Sequence, residues 1–160
     1  MHYVTGAPGA GKSSVVPALT RLLPSFVVLD MDLLLEPASA LAGVDLRAPS
    51  AAARWPAYNE LWRQLLRALA RTRQLVVLGP LTPAELPDDE LGIAWALLDC
   101  ADGTRRRRLR DRGAADDAIR DAIADAAELR TLGLTTISTD GGGPGDVAER
   151  IARWVETAPS

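Results

Sequence analysis

The sequence predicts a single α/β domain of 160 residues, with a parallel sheet covered by helices on both faces. Three observations carry this expectation. Five short apolar segments alternate with longer segments of helical periodicity; a glycine-rich loop joins the first such pair; and the third short segment, QLVVLG, reads as a strand covered on both sides.

In chain order, HYVT is a short buried strand, and KSSVVPALTRLL places Val15, Val16, Leu19, Leu22 and Leu23 close to helical spacing. Proline is tolerated without cost only in a first helical turn, so Pro17 predicts that this helix starts late or bends. SFVVLD is the second strand, followed by a Pro/Ala-rich passage from Pro37 to Pro56. AYNELWRQLLRALART is strongly amphipathic, with Tyr58, Leu61, Trp62, Leu65, Leu66 and Leu69 on one face. QLVVLG and IAWALLD are the third and fourth strands, and GTRRRRLRDR is an arginine-rich helix. AADDAIRDAIADAAELRTL is a further helix whose apolar side is marked by Ile119, Ile123 and Ala127. LTTIST is the fifth strand, and GDVAERIARWVET closes the chain as a helix. No repeat or low-complexity linker divides residues 1–160, and a 48% hydrophobic composition suffices for one core.

Composition also narrows the function. There is no uncharged apolar run of about 18 residues, and the chain reaches Gly6 without a charged-then-apolar leader. A soluble, unexported, cytoplasmic protein is expected, and the single cysteine, Cys100, agrees with a reducing compartment. A net charge of −3 offers no general attraction to nucleic acid or to an anionic membrane, so neither is expected as a partner. Of 18 basic residues, Lys12 is the only lysine.

That lysine stands in GAPGAGKSS, residues 6–14, which fits G-x-x-x-x-G-K-[ST] through Gly6, Gly11, Lys12 and Ser13. In such a loop small residues let backbone N–H groups curl around a phosphate, here across Gly6, Ala7, Pro8, Gly9, Ala10, Gly11, Lys12, Ser13 and Ser14. Lys12 then reaches the β and γ oxygens, and Ser13 holds Mg²⁺. ATP with Mg²⁺ is the expected cofactor set, with GTP the alternative donor.

In a parallel sheet ligands gather at the carboxyl ends of the strands, where FVVLDMDLLLE puts Asp30 and Asp32. If the chain stays extended, their spacing points both carboxylates the same way. An acid there can support a Mg²⁺-bound water or take the proton of an attacking hydroxyl. The simpler alternative is that Asp32 caps a short helix beginning at Leu33, with Asp30 a solvated strand end.

GAPGAGKSS, VVLDMDLLLE, the third strand ending in glycine, and LLDCADGTRRRRLRDRG together resemble the small P-loop kinases, among them shikimate kinase, gluconate kinase, chloramphenicol phosphotransferase and the nucleoside monophosphate kinases. The resemblance spans essentially the whole chain. It implies a three-layer sandwich with strand order 2-3-1-4-5 and a short lid over residues 108–130. The passage 37–56 reads as a mobile acceptor-side flap, because long loops in compact domains are usually functional or disordered. The resemblance also implies that Asp30 supports Mg²⁺ while Asp32 orients or deprotonates the acceptor. By register, Arg108 lies against the adenine and Arg112 closes on the phosphates, with Arg120 a weaker candidate. STDGGGPGD falls where the family's adenine loop lies. LGPLTPAEL departs from both the adenylate and the shikimate kinase patterns after the third strand, which leaves the acceptor open.

Arg54, Trp55, Asn59, Arg63 and Gly79 are the further acceptor candidates. Tyr58 and Trp62 read as core, Arg105, Arg106 and Arg107 as a solvated basic face paired with acids such as Asp102 and Asp111, and Asp99 as structural. The expected activity is transfer of the γ-phosphate to a hydroxyl of a small molecule: an antibiotic, secondary metabolite, sugar or cyclitol. A nucleoside or nucleotide kinase and a non-catalytic nucleotide-binding module are the alternatives. The protein is expected as a monomer or homodimer.

Overall fold

The computed structural model describes residues 1–86 and 91–158, with Pro49 described by its backbone alone. Strand β1 (His2–Thr5) lies at the centre of the sheet, between β3 (Gln74–Gly79) and β4 (Ala94–Asp99). Strand β2 (Phe26–Asp30) flanks β3, and β5 (Thr135–Ser138) flanks β4. The order is therefore 2-3-1-4-5, and all four pairings are parallel.

Alternation along the strands builds two cores. Val4, Val76, Leu78, Ala96 and Leu98 face one side, where α1 (Lys12–Leu22) and α6 (Pro144–Thr157) bury Val15, Leu19, Val147, Ile151 and Val155. Tyr3, Leu75 and Val77 face the other, against Tyr58, Trp62 and Leu66 of α3 (Trp55–Ala70). Burying side chains of this size stabilises by about 1.5–3 kcal/mol each. Helices α4 (Asp102–Asp111) and α5 (Asp116–Arg130) then pack on the carboxyl edge of β4.

Several sequence expectations change. Helix α1 starts at Lys12 and not late, with Pro17 inside it. The passage 37–56 is mostly helical: a 3-10 turn over Met31–Leu34 leads into α2 (Leu35–Ala42), and a second 3-10 segment, Pro49–Arg54, runs into α3. Leu35, Leu46 and Ala51 bury into the second core, which is why this stretch folds onto the body of the protein. Trp55 is the first residue of α3, and Arg54 ends the 3-10 segment just before it. Leu61 is 50% exposed, leaving Tyr58, Trp62 and Leu66 as the buried stripe. In α5 the buried stripe is Ile119, Ala122, Ala126 and Leu129, so Ala127 faces outward.

Gly79 is a packing position. A Cβ there would sit 2.3 Å from the Tyr3 hydroxyl and 2.6 Å from Met31 Sδ, both fully enclosed. Gly79→Ala is expected to lower unfolding stability by about 1–3 kcal/mol, read from urea denaturation, because the strand has no room to retreat. An unchanged midpoint would show that the Tyr3–Met31 contact yields freely.

Candidate active site

The phosphate loop is built by backbone geometry. Gly11 caps α1 at φ 100°, a left-handed conformation that favours glycine, and Gly6 lies so close to β4 that a Cβ would meet the Leu98 carbonyl oxygen at 2.6 Å. The first turn of α1 therefore opens its N–H groups toward the loop, where an anion is favoured. Lys12 folds back under the loop, donating from Nζ to the Gly6 carbonyl and, at 3.4 Å, to that of Ala7. Burial lowers its pKa, while Asp32 and Asp30 pull it back up.

The turn after β2 sets Asp32. The chain does not stay extended: Asp30 ends the strand, and its Oδ1 accepts the Asp32 N–H at 3.0 Å, so Asp30 is the cap of the 3-10 turn. The two carboxylates thus do not project in parallel, and the capping acid is Asp30, not Asp32. Two buried tyrosines hold this turn. The Tyr58 hydroxyl donates to the Met31 carbonyl, and the Tyr3 hydroxyl donates to Met31 Sδ at 2.9 Å while accepting from the Leu81 N–H at 3.2 Å. Asp32 keeps an open edge to solvent. Partial burial pushes its carboxyl above the ordinary range, the Asp30 charge adds to this, and Lys12 and Arg47 oppose it.

These pieces meet in one cavity of about 490 Å³, lined by Pro8, Gly9, Gly11, Lys12 and Ser13 from the loop, Asp32, Trp55 and Asn59 from the β2–α3 side, and Arg112 from the end of α4. Pro80, Leu81, Glu85, Leu109 and Asp125 complete the wall. A neighbouring cleft of about 340 Å³ runs past Ala10, Gly11, Ser14, Val15, Arg108, Thr139, Gly142, Gly143 and Pro144. Arg112 lines both spaces. Arg108 spans the cleft's floor, donating at 2.8 and 2.9 Å to the hydroxyl and carbonyl of Thr139, and at 3.3 and 3.4 Å to the carbonyls of Gly9 and Ala10. The cleft adjoins the phosphate loop and is lined in part by Gly11, Gly142 and Gly143, and Ser13 carries a hydroxyl of the kind that can bind Mg²⁺.

Other predicted residues lie elsewhere. Arg54 is exposed and lines neither space, Arg63 is paired with Glu60 at 2.9 Å, Gly79 lies beneath the cavity wall, and Arg120 bonds back to the Asp116 carbonyl at 3.4 Å. Arg106 and Arg107 are exposed, but Arg105 is fully buried, contrary to the solvated face expected for it. It reaches the Pro8 carbonyl and the Asp99 carboxylate, each at 2.5 Å, and Arg130 of α5 holds the other Asp99 oxygen at 2.6 Å. Arg105 and Leu109, one turn apart, form the inner stripe of α4 against Gly9. Leu109 was the signal for this, being the apolar residue four positions beyond Arg105. Asp125 also lines the cavity, a position that the expected apolar side of α5, Ile119, Ile123 and Ala127, does not point to, because the buried stripe runs through Ala122 and Ala126, one residue earlier. Asp125 lies beside buried Ala126, and burial together with Glu128 and Asp121 raises its pKa.

Loop, strand order and flanking clefts define the fold of the small P-loop kinases. No protein-family model and no curated protein matches the chain. Among solved structures, a shikimate kinase from Acinetobacter baumannii in complex with shikimate superposes with a TM-score of 0.69 at 21% identity, over 98% of this chain and 92% of that one. The tunicamycin resistance protein of Deinococcus radiodurans gives 0.70 at 21% identity, over 99% and 96%. A gluconokinase from Sinorhizobium meliloti gives 0.54 at 18%, over 97% and 94%. At these identities the likeness is one of fold. Among the described residues no helix is long and apolar enough to cross a membrane.

Proposed function

We propose that the protein is a kinase that transfers the γ-phosphate of ATP to a hydroxyl of a small molecule. The observation that carries this reading is the single cavity in which Lys12, Ser13, Asp32 and Arg112 all line the wall, with a nucleoside-sized cleft opening beside it. The neighbours named as shikimate kinase and gluconokinase support a small-molecule acceptor.

In this mechanism the loop N–H groups and Lys12 hold the phosphates, and Arg108 and the Thr139–Pro144 segment seat the nucleoside. Ser13 would hold Mg²⁺, with Asp30 at the end of β2 supporting it, and the ion would supply neutralising charge to the phosphates. Asp32 accepts the hydroxyl proton as the acceptor oxygen bonds to the γ-phosphorus and the bond from that phosphorus to the β–γ bridging oxygen breaks, releasing ADP. Arg112, at the junction of cavity and cleft, closes on the transferring group with the 108–130 segment as lid. Residues 37–56, which include Trp55, form the acceptor side together with Asn59.

The test is ATP with a panel of sugars, cyclitols, aminocyclitols, antibiotics and nucleosides, read by mass spectrometry. A product heavier by one phosphoryl group is expected from at least one small hydroxylated compound. ATP binding without product across the panel would point instead to a nucleotide-binding module, and preferred transfer to nucleosides to a nucleoside kinase.

A further inference from the structure

The acceptor cavity does not end at Asp32. A second cavity of about 580 Å³ is lined by Gly6, Ala7, Pro80, Thr82, Glu128 and Leu129, among others. It shares Pro8, Pro80, Glu85 and Asp125 with the first, so these four residues form the wall common to both. Among the described residues its lining contains three acids, Glu85, Asp125 and Glu128, and no basic residue; Glu85 Oε2 also accepts from the Thr82 N–H and hydroxyl, each at 2.9 Å. Among the described residues the cations lining the first cavity are Lys12 and Arg112, both engaged on the phosphate side in the reading above. Of the arginines on the acceptor side, Arg54 lies outside the wall, Arg63 is paired with Glu60, and Arg47, close enough to act on Asp32, is exposed, lies beside Asp45 and is not part of either wall.

Two further groups have the matching preference. Asn59 lines the first cavity, and its Oδ1, enclosed and without a hydrogen-bond partner, would be satisfied by a ligand donor once the side chain turns toward it. Trp55 adds an indole to the same wall, a ring suited to a cation. The acids are spread out, since among the described residues no three His, Cys, Asp or Glu side chains come together as a metal site. Spread carboxylates fit an organic molecule with separated ammonium groups and not a single ion.

Resting on the kinase reading, we infer that the acceptor is a polyhydroxylated amine, with its reacting hydroxyl before Asp32 and its protonated amino groups against Asn59, Glu85, Asp125 and Glu128 across the two joined cavities. Chemically this is the aminocyclitol or amino-sugar class. A carboxylate- or phosphate-bearing acceptor would have to enter past three like charges.

The experiment separates binding from turnover. Titration calorimetry is run on the full chain with a non-hydrolysable ATP analogue and Mg²⁺, using neamine, 2-deoxystreptamine, myo-inositol and shikimate. The diamine 2-deoxystreptamine is expected to bind at least about tenfold more tightly than neutral myo-inositol, neamine more tightly still, and shikimate least. In Asp125→Asn/Glu128→Gln the advantage of neamine over myo-inositol is expected to shrink about tenfold, with nucleotide affinity undiminished. Equal or tighter binding of myo-inositol or shikimate, failure of both amines to bind at millimolar concentration, or an amine preference unmoved in the double variant would each overturn the inference. Amine preference without phosphorylated product would retain the two cavities as an amine-binding site and sink the kinase reading; transfer to shikimate or myo-inositol in preference to the amines would sink the amine site and retain the kinase reading.

Discussion

Asp32→Asn is expected to reduce kcat by about two to four orders of magnitude while leaving ATP affinity nearly intact, because the amide keeps the shape of the side chain and cannot take a proton. The turn that carries it should survive, since Asp30 accepts the backbone N–H of residue 32 and Tyr58 holds Met31, and neither contact involves the Asp32 side chain. The pH profile gives a second reading of the same residue. Burial and the Asp30 charge raise the Asp32 pKa, so the base form is lost on acidification at a higher pH than for an ordinary carboxylate. The wild-type rate should therefore fall as pH drops through that raised value, and the limb should vanish from the residual activity of Asp32→Asn. Unchanged transfer in the variant would remove Asp32 as base and leave proton loss to solvent or to the phosphate itself.

Asp99→Ala is expected to destabilise the fold by about 3–5 kcal/mol, a large share of the roughly 5–15 kcal/mol available to a domain. Asp99 accepts from Arg105 at 2.5 Å and from Arg130 at 2.6 Å, and Arg105 is fully enclosed. Removing the carboxylate leaves a buried guanidinium whose remaining contact is the Pro8 carbonyl. Arg130 is different: it is 36% exposed and retains Asp102 at 2.8 Å, so its share of the loss is small. Urea denaturation measures the total. A loss under about 1 kcal/mol would mean that water reaches Arg105 and that the pair is not carrying the α4 contact. Because Arg105 also touches the phosphate loop, weaker nucleotide binding should accompany the loss of stability.

How far the sequence was legible follows from how local each signal is. The phosphate loop is a contiguous pattern, and it lies between a strand and a helix as its spacing requires; QLVVLG, apolar throughout, predicts a sheet covered on both faces, and two cores flank it. Asp32 was placed at the correct edge, but the geometry around it was not. Its turn is set by Tyr3 and Tyr58, residues distant along the chain, and no local spacing encodes a hydroxyl donated to Met31. Arg105 was misread because a run of four arginines looks solvated until the position of Leu109 fixes which one points inward. Asp125 was lost to a shift of one residue in the apolar face of α5, which is enough to turn a wall of the cavity into an outside surface. The passage 37–56 looked like a loop because its apolar residues have no clear period, yet Leu46 and Ala51 contribute to the second core.

Lys12 carries a practical consequence. It is the only lysine in the sequence, and its enclosure beneath the loop lowers its pKa, so more of it exists as free amine near neutrality than for an exposed lysine. Apart from the α-amino group, an acylating reagent delivered on a nucleotide scaffold has one nitrogen to modify. A single mass increment on the intact chain then reports occupancy of the phosphate site directly, with no need to know the acceptor, and competition by unlabelled nucleotides ranks ATP against GTP.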